Sequence, residues 1–259
     1  MTVLIKYSQQ TKKNNEDFFK RKDQELTNLD WAKWAGWFDT DGWFRTEKGK
    51  GRSARLYLKD RQPVELFSKT FETSLLYREH KTITPEPYRY EYTCVEHMVA
   101  LSGEKGIWFT KNVYPYLIKE EKKDYAAKLL GYRPESKDFT TWTDDETVHY
   151  LATVIEGDGY IVVRGKKNSN ITTSIYSSDT QYLTDIQSLS ENKLGITSVL
   201  SINKIYKTQK GLKTKYLLRI NGSLRYSNNL DFFQNLVKDN VMTLNRKKQK
   251  VQKFVTHVS

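Results

Sequence analysis

Four carboxylates in this chain stand where an α-helix does not favour them. Asp39 and Asp41 close the stretch Trp31-Ala-Lys-Trp-Ala-Gly-Trp-Phe-Asp-Thr-Asp-Gly42. Glu156 and Asp158 close a second, Val148-His-Tyr-Leu-Ala-Thr-Val-Ile-Glu-Gly-Asp-Gly159. A carboxylate beside the unpaired carbonyls of a helix C-terminus costs from a few tenths to about 1 kcal/mol. Making that placement twice implies a cation at the site. Carboxylate and carbonyl oxygens with no His or Cys nearby form a hard site of the kind Mg²⁺ takes. Asp-Gly pairs are also ordinary turn formers, so a single copy would say little. An EF-hand is excluded, because the twelfth position counted from Asp39 is Lys50 rather than an acid. The repetition carries the reading.

The two stretches lie 117 residues apart and superpose element by element. Trp31, Trp34, Ala35 and Phe38 recur at helical spacing, as do Val148, Leu151, Ala152 and Ile155. Thr143 with Glu146 has capping-box spacing, and Thr27 with Asp30 is a looser version. Gly42 and Gly159 are expected to end the helices as left-handed residues. Two strands follow each helix, over 43–59 and 160–176. In the first pair, alternation puts Ala54, Leu56 and Leu58 on one face and Arg55, Tyr57 and Lys59 on the other. A helix is expected near 63–72 and again near 179–190. Further strands are expected near 74–82, 87–96, 197–207 and 214–221, with helical segments closing the halves over 108–130 and 228–254. The fold class is therefore α+β, with the order α-β-β-α-β-β-α occurring twice. Residues 1–27 read as a polar arm, 28–130 as the first half, 131–142 as a linker and 143–259 as the second half.

Composition narrows the partner. Lys and Arg number 43 against 31 Asp and Glu, a net charge of +12, which favours a polyanion such as nucleic acid. No apolar run approaches the roughly 20 residues that cross a bilayer, and the basic residues fall on strand-like segments rather than one amphipathic helix. No membrane partner is expected. The single cysteine, Cys94, excludes an internal disulfide and suits a reducing compartment. Cys94 and His97 lack the second pair that structural zinc needs.

The nonapeptides 34–42 and 151–159 resemble the signature of the LAGLIDADG homing endonucleases, in the form with two motifs in one chain. The order of elements matches across roughly 27–254, and Ser178-Asp-Thr-Gln-Tyr-Leu-Thr-Asp-Ile-Gln-Ser-Leu189 is similar to the family's second helix. The resemblance implies two motif helices packed along a pseudo-twofold axis, with Ala35, Gly36, Ala152 and Gly157 permitting close approach. Each half would carry a four-stranded antiparallel sheet, and the pair would saddle duplex DNA. The implied activity is site-specific double-strand cleavage by a monomer, one metal-dependent centre per strand. Asp41 and Asp158 would hold Mg²⁺ (or Mn²⁺), with the carbonyls of Thr40 and Gly157 as additional ligands. Lys105 is the candidate basic residue of the first centre. The matching second-half segment, Asn221-Gly-Ser, has no basic residue until Arg225. Thr153 stands where the motif has Gly, which implies a tighter or differently spaced helix interface. Trp34 and Trp37 replace the usual Leu and are expected to fill the core of the first half.

Candidate DNA contacts are Arg45, Lys48, Lys50, Arg52, Arg55, Tyr57, Lys59 and Arg61 on the first strand pair. After the second motif come Arg164, Lys166 and Lys167, and on the last hairpin Lys204, Lys207, Lys210, Lys213, Lys215 and Arg219. Phosphate contacts should outnumber base contacts. The target would be a double-stranded site of roughly 20 base pairs, about two helical turns. Two other readings of the same scaffold are an intron maturase that binds its own intron RNA and a DNA-binding protein without catalysis. The Lys-, Asn- and Tyr-rich composition would suit an A/T-rich organelle genome, a mitochondrial one first.

Overall fold

The computed structural model describes residues 2–47, 51–83, 91–165, 169–208, 211–223 and 227–258. After α1 (Thr2–Glu25) the first half runs α2 (Asn28–Thr40), β1 (Gly42–Glu47), β2 (Gly51–Leu58), α3 (Arg61–Thr70), β3 (Leu75–Ile83), β4 (Glu91–Ser102), α4 (Glu104–Val113), a 3₁₀ turn (Tyr114–Tyr116) and α5 (Glu120–Leu130). The second half runs from a 3₁₀ turn (Phe139–Thr141) through α6 (Asp144–Asp158), β5 (Gly159–Arg164), β6 (Asn170–Ser177), α7 (Thr180–Leu194), β7 (Ser198–Thr208), β8 (Gly211–Gly222), α8 (Ser227–Leu236) and α9 (Asn245–Val258). Each half holds a four-stranded antiparallel sheet, in the orders β1-β2-β4-β3 and β5-β6-β8-β7.

Alternation decides which face of each sheet is covered. Ala54, Leu56, Val99 and Leu101 of the first sheet are buried under helices, as are Ile161, Ile171, Ile175, Leu218 and Ile220 of the second. One hydrophobic core runs through both halves. Pro115 interrupts the closing helical region of the first half, since proline breaks the helical hydrogen-bond ladder. The short segments before α5 and α9 are non-helical, with backbone amides free to serve other groups.

The residues 1–27 expected as a polar arm are mostly helix. Among the described residues of α1, Phe18 and Lys22 are buried, so no apolar period is visible in the sequence. The helix is anchored where Phe18 and Phe19 meet Trp108, at ring-centroid distances of 5.7 and 5.5 Å. Arg21 and Lys22 pair with Glu72 at 2.7 and 3.2 Å.

α2 and α6 lie together at the centre. Residues 31–39 of α2 and 146–156 of α6 are buried except His149, and a helix apolar nearly all round belongs in the interior. Both begin with complete capping boxes, Thr27 with Asp30 and Thr143 with Glu146. Trp34 fills the first half's core against Phe67, ring centroids 5.0 Å apart, and Trp37 is fully buried. The Thr153 hydroxyl hydrogen-bonds the Lys33 carbonyl of the facing helix at 3.0 Å and the Tyr150 carbonyl of its own at 2.9 Å. Gly36 makes room for this bond. A Cβ there would overlap Thr153 Oγ1 and lie 2.6 Å from the Tyr150 carbonyl. Gly36→Ala should therefore destabilise by about 1–3 kcal/mol, as overpacking does. An unchanged denaturant midpoint would show that the helices can separate without loss.

Gly42 and Gly159 do not end their helices in the left-handed region, as expected from sequence. The cap of α2 is Asp41 at φ −115°, and Gly159 has φ −93°. Each chain turns straight into a strand, and glycine is needed for space. A Cβ on Gly159 would lie 2.5 Å from the Ile155 carbonyl.

Candidate active site

The four acidic residues divide into two pairs with different partners. Asp39 is fully buried and accepts hydrogen bonds from the amides of Ile118 (2.8 Å) and Lys119 (3.3 Å) and from the Tyr150 hydroxyl (2.6 Å). Glu156 accepts from the amide of Thr243 at 2.6 Å and from that of Leu244. Each sixth-position acid thus ties its motif helix to the segment entering the last helix of its own half. The inference of a cation from all four carboxylates must be corrected accordingly. Protein donors meet both oxygens of Asp39 and Oε1 of Glu156, whose Oε2 is buried without a partner among the described residues, while Asp41 and Asp158 receive no such pair of backbone amides.

Those two meet where the helices end. A Cβ on Gly157 would lie 2.8 Å from Asp41 Oδ2 and overlap Thr40, so the two helix ends touch where the seventh position of the second motif meets the seventh and eighth of the first. Burial raises the Asp41 carboxyl to about 6, and the negative charge of Asp158 pushes in the same direction. Burial also raises Asp158, against the pull of Lys119, Lys122, Lys215 and Lys247. Asp41 Oδ2 is buried without a hydrogen-bond partner among the described residues. A buried acceptor left bare is costly, and a hard cation would satisfy it. The donor set fits one: two carboxylates plus the carbonyls of Thr40 and Gly157. No group of three His, Cys, Asp or Glu gathers among the described residues.

Asp41 opens into a cleft of about 410 Å³ lined by Thr40, Gly42, Trp43, Arg45, Arg55, Tyr57 and Lys122. Arg55 is held by bonds to Ser53 Oγ (2.9 Å) and to the Tyr57 hydroxyl (3.2 Å). Lys122 donates to the Gly42 carbonyl at 2.5 Å. Its counterpart is Lys247, since each is the third residue of a helix whose preceding two amides bind the sixth-position acid. Lys247 donates to the carbonyls of Ile155 (2.8 Å), Glu156 (2.5 Å) and Gly159 (2.8 Å), which offsets the α6 dipole.

Lys105, the expected basic residue of the first centre, lies elsewhere. Its ammonium sits 3.9 Å from the Phe18 ring centroid, in a cleft with Asn14, Asp17, Arg21 and Glu72. The α1 anchor claims it. Sequence reasoning missed Lys122 and Lys247 because their spacing is 125 residues rather than 117. Insertions between the strands shift the repeat, and the signal was a lysine at one helical position in both closing helices.

Other expected contacts sort by face. Arg164 and Arg219 line a second cleft of about 280 Å³ with Tyr160, Val162, Thr172, Ser174, Tyr176 and Asn221. Lys204 pairs in register with Lys215, and Lys213 lies two residues before Lys215 on the same face of β8. All three are exposed. Lys59 is exposed just beyond β2. Arg52 needs correction, because alternation gives it the helix-covered face of Ala54 and Leu56. Arg61 opens α3 and pairs with Glu65 at 2.8 Å, so it belongs to the helix layer. Lys207 lies in β7 opposite Leu212, with its side chain outside the described set. Lys48, Lys50, Lys166, Lys167, Lys210 and Arg225 lie outside the described residues.

The buried acids set a pH dependence for the metal-free protein. Burial raises Glu156 to about 7, against the two amides that favour its charge. The folded state then holds this proton more tightly than the unfolded state. Its contribution is fully present below the ordinary carboxylate range and is lost as pH rises through about 7. Thermal midpoints in EDTA should fall between about pH 5 and pH 7 and level off above, and Glu156→Gln should flatten that fall. A midpoint that rises across this window contradicts the assignment.

Two four-stranded sheets joined through two acid-ended helices are the frame against which the chain is compared with known proteins. Residues 145–228 match the family model described as a LAGLIDADG-like domain. The fold is similar to that of the homing endonuclease I-WcaI bound to its DNA recognition sequence, with a TM-score of 0.53 and 13% identity over 90% of this chain and 91% of that one. Full-length DUF199/WhiA from Thermatoga maritima also matches, with a TM-score of 0.41 and 10% identity over 88% of this chain and 60% of that one. No curated protein matches the sequence. The family match thus lies in the second half, and the likeness to the solved homing endonuclease extends over the fold of both halves.

Proposed function

We propose that the protein is a site-specific endonuclease that cuts both strands of duplex DNA with a divalent metal, Mg²⁺ or Mn²⁺, as intron-type homing endonucleases do. The carrying observation is that Asp41 and Asp158, one from each half, meet at the base of two sheets whose open faces bear arginine and lysine. When bound at Asp41 and Asp158, a metal supplies charge neutralisation and an activated water for phosphodiester hydrolysis. The chain's own groups do the rest. Arg45, Arg55 and Lys122 hold the phosphate against Asp41, while Thr153 and Gly36 fix the helix spacing that keeps the two carboxylates together. The exposed cations of β7 and β8 track the backbone, and side chains on the open sheet faces reach base edges in the major groove. The solved relative bound to DNA, similar in fold over nine-tenths of both chains, supports a duplex partner.

The decisive experiment is incubation with a plasmid library carrying a randomised segment, in Mg²⁺ and in EDTA, followed by sequencing of new ends. Metal-dependent cuts at a recurrent motif support the reading. Binding of duplex without cleavage would leave a DNA-binding protein, and preference for structured RNA would leave the maturase. With two motifs in one chain, a single protein should occupy each duplex. Sedimentation showing two chains per site would contradict that stoichiometry.

A further inference from the structure

Two exposed aromatic side chains stand at the same place in both halves. Trp43 and Tyr160 directly follow the motif glycines, and strand register matches them: Trp43 pairs with Arg55 as Tyr160 pairs with Ser174. The next residues, Phe44 and Ile161, are buried under the helices, so alternation puts Trp43 and Tyr160 on the open sheet faces. They are 47% and 54% exposed there. Each ring leans on the closing helix of its half. Trp43 stacks on Tyr125 of α5 at 5.3 Å between centroids and 27° between planes. The Lys250 ammonium of α9 lies over the Tyr160 ring, 5.3 Å from its centroid, and bonds the Ile161 carbonyl at 3.2 Å. Tyr125 and Lys250 are 125 residues apart, as Lys122 and Lys247 are. The neighbours do not keep this symmetry, since Val162 and Ser174 occupy the places of Arg45 and Arg55.

We infer that Trp43 and Tyr160 read the 5-methyl groups of two thymines, one in each half-site, on opposite strands and at equal distances from the centre of the target. The target is therefore palindromic at this position although the halves differ around it. The inference rests on the duplex-binding part of the reading above and needs no cleavage. Packing excludes a wedge between base pairs, because Tyr125 or Lys250 already covers one face of each ring and an intercalated ring needs both. A ring with one free face covers a groove edge instead. In the major groove adenine, guanine and cytosine present donors and acceptors, which lose hydrogen bonds to water when an apolar surface covers them. Thymine alone adds a methyl group, whose burial is favourable. Both rings are already held in place, so little side-chain entropy is lost on contact.

Binding titrations test this, in EDTA and in Ca²⁺, on duplexes selected from a random library for affinity. Deoxyuridine replaces each thymine in turn, which removes one methyl group and keeps every hydrogen-bonding group. With the wild-type protein, two symmetric positions should each lose about fourfold in affinity, the value of one buried methyl group. Trp43→Ala should abolish the loss at one of them and leave it at the other, and Tyr160→Ala should do the reverse. Tyr160→Phe should keep the loss, because the ring rather than the hydroxyl covers the methyl. The wild-type scan decides the matter even if an alanine variant proves unstable. Deoxyuridine tolerated at every position, losses without symmetry, or losses that persist in both alanine variants would overturn the inference and leave the endonuclease reading standing. Failure of the wild type to bind any duplex under either condition would overturn both.

Discussion

Asp41→Asn and Asp158→Asn should each abolish double-strand cleavage in Mg²⁺ while leaving duplex binding nearly intact. Asparagine keeps the size and one carbonyl oxygen but removes the charge on which a divalent ion depends. Losing several kcal/mol of charge stabilisation at one centre corresponds to at least about 10²-fold in rate. Binding should persist because the cations of both sheets are untouched, and removing a negative charge near phosphate can only favour association. Stability gives an independent readout. Asp41 is raised to about 6 by burial first and then by repulsion from Asp158. Near neutral pH in EDTA, either substitution relieves that repulsion and should raise the thermal midpoint. Wild-type cutting of both strands by Asp41→Asn would dismiss the site assignment. A lowered midpoint with lost binding would make Asp41 a structural residue instead.

Duplex affinity should collapse with salt. If the two sheets engage phosphates through six to ten cations, affinity falls on the order of 10³–10⁵-fold between 50 and 200 mM salt, because each contact releases counterions. The net charge of +12 allows that many contacts. Lys213 and Lys215 on β8 are exposed on the face shared with Arg219, so replacing either with Ala should flatten the slope of log K against log salt by about one. Arg55 should behave differently. Fixed by Ser53 and Tyr57 beside Asp41, it should affect cleavage rate more than overall affinity. A slope near zero in duplex titrations would point to a partner recognised without phosphate neutralisation.

The failures of sequence reading are physically specific. Lys105 has the residue type expected of the basic group beside the first centre, yet Phe18 of α1 takes it up. Nothing in a polar segment with so few buried positions announced that α1 would pack there. Lys122 and Lys247 were hidden because the repeat drifts between the strands and the closing helices. Thr153 in place of the motif glycine implied an altered helix interface, and its hydroxyl donates a hydrogen bond across that interface to the Lys33 carbonyl. The sixth-position acids looked like metal ligands until the amides of residues 118–119 and 243–244 were seen to meet them.

By itself the sequence determined the features set by local period and local chemistry: two apolar helices with their caps, alternating strands, the order of elements in each half, and a pair of acidic ends that had to find a positive partner. Those features depend on residues within a turn or two of one another, so one chain is enough to read them. Only the tertiary structure decided which acids face donors and which face each other, which lysines reach the helix ends, and that one centre shares its cleft with two arginines while the other does not. These are contacts between residues some 80 to 120 positions apart, such as Asp39 with Ile118 and Thr153 with Lys33. No spacing in the sequence encodes them, because they exist only after α2 and α6 have packed.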